Sequence, residues 1–269
     1  MENIAFIGAG RMATAIMTAL LDKGYQADHI WATDCSITDG LKMLEERGAR
    51  TGADNSAAIA WADAVFLCIK PQQMANLLSD IGSLLSDKLV VSIAAGVPLS
   101  VLANSIKNPR AIIRVMPNTP MMLGVGVSAL SFAEGTDPDA IKLVEKVFSL
   151  CGQVYVVPEA QMDAVTALSG SGPAYFYEVV RILADQAVSA GMDAETALAM
   201  ATGTMAGATA MLQKTGQPPA QLIDQVVSPG GTTIAALDAF AAAGLAHVLS
   251  AGFDAAMRRS AELSAQFTL

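Results

Sequence analysis

The stretch Ile4-Ala5-Phe6-Ile7-Gly8-Ala9-Gly10-Arg11-Met12-Ala13 decides the fold. Four apolar residues without a polar interruption read as a strand buried on both faces, as in a parallel sheet. Gly8 allows a tight turn, Gly10 lets backbone come close to a pyrophosphate, and Ala13 is a third small residue where a helix packs on the sheet. A Gly-x-Gly-x-x-Ala run is generic by itself. Placed between a strand and a helix, it predicts a dinucleotide site, with phosphates on the free N–H groups of the helix start.

Working outward, Met12, Ile16, Ala19 and Leu20 recur at helical spacing, and Gly24 closes that helix. A second strand, Ile30 to Thr33, ends at Asp34, whose carboxylate is placed to accept a ribose 2′-OH. A 2′-phosphate usually calls for an Arg at this point, yet Cys35 and Ser36 follow; Arg11 is the nearby cation. Leu41 to Arg47 predicts a helix, and Asn55 is expected to N-cap another. The strand Val65 to Ile69 leads into Lys70-Pro71-Gln72, a helix over 72–85 follows, and the strand Leu89 to Ile93 leads into Ala94-Ala95-Gly96. After a helix over Val101 to Ile106, the strand Ala111 to Val115 runs into Met116-Pro117-Asn118-Thr119-Pro120. Strands at Val125–Phe132 and Gln153–Val157 flank a helix over Pro138–Leu150. This alternation predicts an α/β fold, a Rossmann-type doubly wound sheet. Beyond Pro158 only long Ala-rich helical patterns remain. The expected division is a dinucleotide-binding domain at 1–159 and an all-helical domain at 160–269.

A formal charge of −9 argues against nucleic acid, which requires clustered Lys and Arg. Hydrophobic residues make up 53% of the chain, and Thr196 to Gln213 carries no charged group until Lys214. Its Ala, Gly, Thr and Met content reads as a helix buried between protein surfaces, as in an obligate oligomer, rather than a membrane span. Three scattered cysteines, Cys35, Cys68 and Cys151, suggest neither a disulfide framework nor a metal site. No basic segment followed by an apolar stretch and a cleavage site opens the chain, so the cytoplasm is expected. Two histidines, His29 and His247, leave little room for a His general base.

Two Gly-Pro stretches interrupt the helical half. Ser169-Gly-Ser-Gly-Pro-Ala-Tyr175 and Ser228-Pro-Gly-Gly-Thr-Thr233 both read as loops that start helices, either plain turns or cradles of N–H groups and hydroxyls for a carboxylate. Alcohol oxidation needs a tuned base, in which this half is poor. A C=N bond is less demanding: it needs a hydrogen bond at nitrogen and a grip on the substrate's carboxylate.

The chain resembles the pyrroline-5-carboxylate reductases over its whole length. The resemblance rests on Gly8 to Ala13, Lys70-Pro71-Gln72, Met116 to Pro120, Ser169 to Tyr175 and Ser228 to Thr233, in that order. It implies reduction of 1-pyrroline-5-carboxylate to L-proline with NADPH or NADH, and helices that interlock with a partner subunit as a homodimer or ring of dimers. Position by position, it implies a cofactor lined by Gly8, Ala9, Gly10, Arg11, Met12, Asp34, Asn55, Lys70, Pro71, Ala94, Ala95 and Asn118. Ser228, Gly230, Gly231, Thr232 and Thr233 would hold the substrate carboxylate, with Thr233 at the ring nitrogen and Glu159 facing that nitrogen. Thr233 and Lys70 are the implied catalytic positions. Arg11 stands where Asn is commoner in the family, and no Arg follows Asp34, so use of both cofactors is expected. A β-hydroxyacid dehydrogenase would place a Lys in the helix after the Gly-rich segment. Tyr175 to Ala190 offers Glu178, Arg181 and Asp185 instead. A nucleotide-sensing regulator without turnover is the rival from outside enzymology.

Overall fold

The computed structural model describes residues 2–267. Its strands are β1 (Ile4–Ile7), β2 (Ile30–Thr33), β3 (Arg50–Gly52), β4 (Ala64–Leu67), β5 (Leu89–Ser92), β6 (Ala111–Met116), β7 (Gly126–Phe132) and β8 (Gly152–Val156). They form one sheet in the order β3-β2-β1-β4-β5-β6-β7-β8. The intervening helices are α1 (Arg11–Asp22), α2 (Asp39–Glu46), α3 (Asn55–Trp61), α4 (Met74–Ile81), α5 (Leu99–Ser105) and α6 (Pro138–Ser149). Beyond the sheet come α7 (Met162–Val165), α8 (Gly172–Ser189), α9 (Ala194–Thr215), α10 (Pro219–Val226), α11 (Thr232–Ala242) and α12 (Leu245–Ala265). The chain forms two compact units, residues 1–171 with 255–269, and residues 172–254.

In the first unit, alternation along β1 sends Ile4 and Phe6 to one face and Ala5 and Ile7 to the other, because successive side chains of a strand point opposite ways. The first face packs against Ile16, Met17 and Leu20 of α1, Leu44 of α2 and Phe148 of α6. The second packs against Ile59 of α3, Leu78 of α4 and Leu102 of α5. At the centre of the first face the Phe66 ring lies 4.8 Å from Phe6 and 6.3 Å from Phe148.

Strand and helix alternate as expected up to β6. There the sheet departs from a uniformly parallel pattern: β7 pairs antiparallel with β6, and β8 parallel with β7. The stretch between Met116 and Gly126 is too short for a crossover helix, which needs a dozen or more residues, so the chain turns back on itself. A one-turn 3₁₀ helix, Thr119–Leu123, makes that reversal. The edge strand β3 is three residues long and was not foreseen. α3 is capped by Asp54, whose carboxylate accepts from the Ala57 N–H at 3.0 Å; Asn55, expected as the cap, is its first helical residue.

The expected loop at Ser169 to Tyr175 is helical. Thr166–Gly170 forms one π turn, with Ser171 N–H donating to Thr166 O at 2.8 Å, and α8 follows at once. A π turn takes up an extra residue without breaking the helix. A Cβ on Gly170 would come 2.4 Å from Cε at the flexible tip of Met116.

In the second unit α8 packs along α9, and α10 meets α9. Large apolar side chains stand in the open: Phe176 (60% exposed), Tyr177, Leu198, Met200 and Met211. Within α9 only Ala197 is buried, and the rest of the uncharged run read from the sequence as an interface is half-buried or exposed. Among the described residues no single helix is long and apolar enough to cross a membrane; α11 and α12 reach that length only as a pair bent by 55°.

Phe66→Ala is expected to destabilise the sheet unit by about 3–5 kcal/mol through the cavity it leaves, read as a lower denaturant midpoint. A loss below about 1 kcal/mol would contradict the central place given to this ring.

Candidate active site

The parallel strands bring most of the predicted residues to one edge. Gly8 to Met12 follow β1, Asp34 follows β2, Lys70 and Pro71 follow β4, Ala94 and Ala95 follow β5, and Asn118 follows β6. Asn55 opens α3 after β3. The strand order reverses beside β1, with β2 on one flank and β4 on the other, so a crevice opens between the carboxyl ends of β1 and β4.

At that switch point Gly8 has φ +98°, and a Cβ there would lie 2.9 Å from the Cys68 carbonyl oxygen. Glycine is required on both counts. Gly10 N-caps α1 with no side-chain cap, no acidic residue occupies the first turn, and no atom lies within 4 Å of where its Cβ would be. The helix therefore presents unsatisfied N–H groups to open space, where its dipole favours an anion. Arg11, exposed, adds a positive charge. From this turn a groove of about 1040 Å³ runs along α1 as far as Lys23, walled by Thr38–Gly40 and Met121–Gly124.

Asp34 is tied into the turn: its Oδ2 accepts from the Ala9 N–H at 2.9 Å, and its Oδ1 from the Ser36 N–H at 3.2 Å. Partial burial raises its pKa, but these N–H groups and the Cys35 thiol and N–H outweigh burial and hold the carboxyl below its ordinary value. The carboxylate thus stands ionised at the end of β2. The buried Thr33 hydroxyl donates to Asn55 Oδ1 at 2.6 Å and so fixes that amide.

Asn118, 7% exposed, uses both ends of its amide within the protein. Its Nδ2 donates to Ser169 O at 3.1 Å, and its Oδ1 accepts from the Val127 N–H at 2.8 Å. It therefore pins the β6–β7 reversal to the π turn. Lys70 is exposed; Ala94 is buried and Ala95 half-buried.

Glu159 makes contacts that the sequence did not announce. Its Oε1 lies 2.6 Å from Arg114 Nη1 and accepts from the Leu99 N–H at 3.1 Å. Arg114 sits in β6 and is 3% exposed. Sequence reasoning passed over it, although a lone charge inside Ala-Ile-Ile-Arg-Val-Met was the available signal.

In the second unit, Ser228 to Thr233 connects α10 to α11. The Gly231 N–H donates to Ser228 O at 2.9 Å, Gly230 has φ +69°, and a Cβ on Gly231 would meet Ser228 Oγ at 2.3 Å. Gly231 N-caps α11 without a side-chain cap, leaving the first N–H groups of the helix beside the Thr232 and Thr233 side chains. Thr233 is half-buried, and Ser228, Gly230 and Thr232 are exposed.

A glycine turn at the switch point of an open, mostly parallel sheet defines the Rossmann class of α/β proteins, here joined to a helical unit. Residues 159–263 match the family model described as pyrroline-5-carboxylate reductase dimerisation, and residues 3–96 match one described as NADP oxidoreductase, coenzyme F420-dependent. The pyrroline-5-carboxylate reductase of Methanosarcina acetivorans is 38% identical, covering 98% of this chain and 99% of that protein. A solved pyrroline-5-carboxylate reductase from Coxiella burnetii is 35% identical with a TM-score of 0.91, covering 98% of each chain. The Plasmodium falciparum pyrroline carboxylate reductase, solved with NADP bound, is 26% identical with a TM-score of 0.89, again covering 98% of each chain. The chain belongs to the pyrroline-5-carboxylate reductase family.

The depressed Asp34 pKa carries a linkage consequence. A carboxyl whose folded value lies below its unfolded value of about 3.9 stabilises the fold above that pH and loses this contribution as pH falls through the folded value. The Asp34→Asn variant should melt below wild type at neutral pH, with the gap closing in acid below about pH 4. A gap that persists unchanged in acid would show that the ionised form contributes nothing.

Proposed function

We propose that the chain reduces 1-pyrroline-5-carboxylate to L-proline with NADPH or NADH, the last step of proline biosynthesis. One observation carries this reading. A single chain of this family combines an uncapped helix start behind a glycine turn with a second uncapped helix start at the Ser228–Thr233 loop. The first suits a pyrophosphate and the second a small carboxylate.

The turn residues fit the cofactor, since Gly10 is open and no acidic side chain competes for the first N–H groups of α1. Gly8, Ala9, Gly10, Arg11 and Met12 would hold the pyrophosphate; Asp34 and Asn55 the adenosine side; and Lys70, Pro71, Ala94, Ala95 and Asn118 the rest. When bound, the nicotinamide supplies a hydride to the imine carbon. The protein's task is then to orient the imine and satisfy its charges. Ser228, Gly230, Gly231 and Thr232 grip the carboxylate through N–H groups and hydroxyls, and the Thr233 hydroxyl hydrogen-bonds the ring nitrogen. An imine that arrives protonated needs no strong base, in keeping with a chain of two histidines. Lys70 supplies a cation beside the reaction. The ionised Asp34 favours a ribose hydroxyl and Arg11 a phosphate, so both cofactors serve.

The bare apolar faces of α8 and α9, together with the dimerisation match, support a second copy of this chain as their cover, with rings of dimers as a larger assembly. The functional division falls at 159/160, with the helices from 160 onward serving dimerisation and substrate. Three free thiols are in keeping with the cytoplasm.

The test is spectrophotometric. Oxidation of NADPH or NADH should require the pyrroline and yield one proline per cofactor consumed; binding without oxidation would favour the sensing regulator. Thr233→Ala should lower kcat/KM for the imine by about 10²-fold, the order seen when one preorganised donor is removed, and an unchanged value removes its role. Asp34→Ser should shift the kcat/KM ratio towards NADPH by about tenfold, equivalent to about 1.4 kcal/mol. No shift would mean that Asp34 does not discriminate between the cofactors.

A further inference from the structure

The Arg114 guanidinium lies inside the sheet, its side chain 4% exposed, directly between Ser92 of β5 and Ser131 of β7 in strand register. Holding a charge there is expensive unless it is paired and hydrogen-bonded. Its partner is Glu159 Oε1, the same oxygen that takes the N–H of Leu99, the first residue of α5. Pro98 precedes Leu99, has a fixed φ and lacks an N–H, so Leu99 offers the nearest point at which this end of the turn is gripped. At the other end the Ala94 N–H donates to the Ser92 hydroxyl at 3.4 Å. Between them Gly96 has φ +74°, and a Cβ there would come 3.1 Å from Leu263 Cβ, so the C-terminal part of α12 closes over it. The turn from Ala94 to Pro98 is thereby clamped at both ends and in the middle. Among the described residues, Arg114 Nη2, Glu159 Oε2 and Ser131 Oγ are buried without hydrogen-bond partners.

We infer that Arg114 and Glu159 are positioning residues, which act through the Leu99 N–H to hold the Ala94–Pro98 turn against the bound cofactor. The inference rests on the assignment of Ala94 and Ala95 to the cofactor in the proposed function. Arg114 is sealed in the sheet and works only through Glu159. Glu159 works on the turn, with its Oε1 held by Arg114 and Leu99.

A double-mutant cycle on Arg114→Met and Glu159→Ala tests this, with the Kd for NADH taken from nicotinamide fluorescence and the imine KM and kcat from turnover. Each single variant should raise the cofactor Kd and lower kcat by about tenfold while the imine KM moves less than about twofold, since misplacing a bound reactant costs rate more than substrate affinity. The double variant should be no worse than the worse single, because the two residues act as one unit. Glu159→Gln keeps an oxygen for the Leu99 N–H and should recover most of the loss. A rise in imine KM with Glu159→Ala alone, or additive effects, would overturn the inference in favour of Glu159 touching substrate directly. Should Arg114→Met fail to give a native circular-dichroism spectrum, Arg114→Lys, which keeps the charge and loses the fork, is read the same way, and an unchanged cofactor Kd overturns the inference. Wild type that binds neither NADH nor NADPH defeats the underlying reading; wild type that binds, with variants unaltered, defeats the inference alone.

Discussion

At Gly8 the backbone turns with φ +98° so close to the Cys68 carbonyl that no side-chain carbon fits, and the geometry of the site follows from that contact. The Gly8 N–H reaches Thr33 O at 2.8 Å while the Cys68 N–H reaches Ile7 O at 2.8 Å, so the ends of β1, β2 and β4 are stitched together at the point where the strand order reverses. Asp34 then takes the next N–H, that of Ala9. A turn held this tightly starts α1 at a fixed angle with its first N–H groups bare. Any larger residue at position 8 has to push β1 and β4 apart, and the alternation that feeds the two apolar faces from β1 would shift with them.

The parts of this arrangement legible in the sequence are those set by local rules. Short, mainly apolar runs marked β1, β2, β4, β5 and β6, and the glycine spacing marked the turn. What escaped was decided by distance or by contact. The reversal of β7 follows from a connection too short to carry a crossover helix, a matter of reach that its apolar pattern does not record. β3 is three residues long, and Arg-Thr-Gly shows no strand period. The Gly-Pro stretch at 169–175 carries loop composition, yet one π turn absorbs it, because Asn118 accepts a place beneath Ser169 and Gly170 leaves room for Met116. Of the candidate site, the stretches that would meet the cofactor and the carboxylate were visible as motifs. The buried Arg114 was visible only as an anomaly, one charge in an apolar strand, with no hint in the sequence that its partner lies 45 residues away.

The helices of residues 172–254 put the same physics to another use. On α8, Glu178, Arg181 and Asp185 pair with one another, while Phe176, Leu198 and Met200 remain open. An apolar surface of this extent is costly in water and is stabilised when another protein surface covers it. The uncharged run of α9, read from the sequence as a helix between protein surfaces, belongs to these open helices. The sheet unit carries a buried apolar cluster on each face of the sheet.

The central claim is that a hydride has the imine carbon as its destination. NADH carrying deuterium at the transferable C4 position, turned over with 1-pyrroline-5-carboxylate, tests it most directly by mass spectrometry and proton NMR of the product. The account predicts proline with one deuterium on the ring carbon that had been double-bonded to nitrogen. Proline without that label, or labelled cofactor bound and left unconsumed, would contradict it.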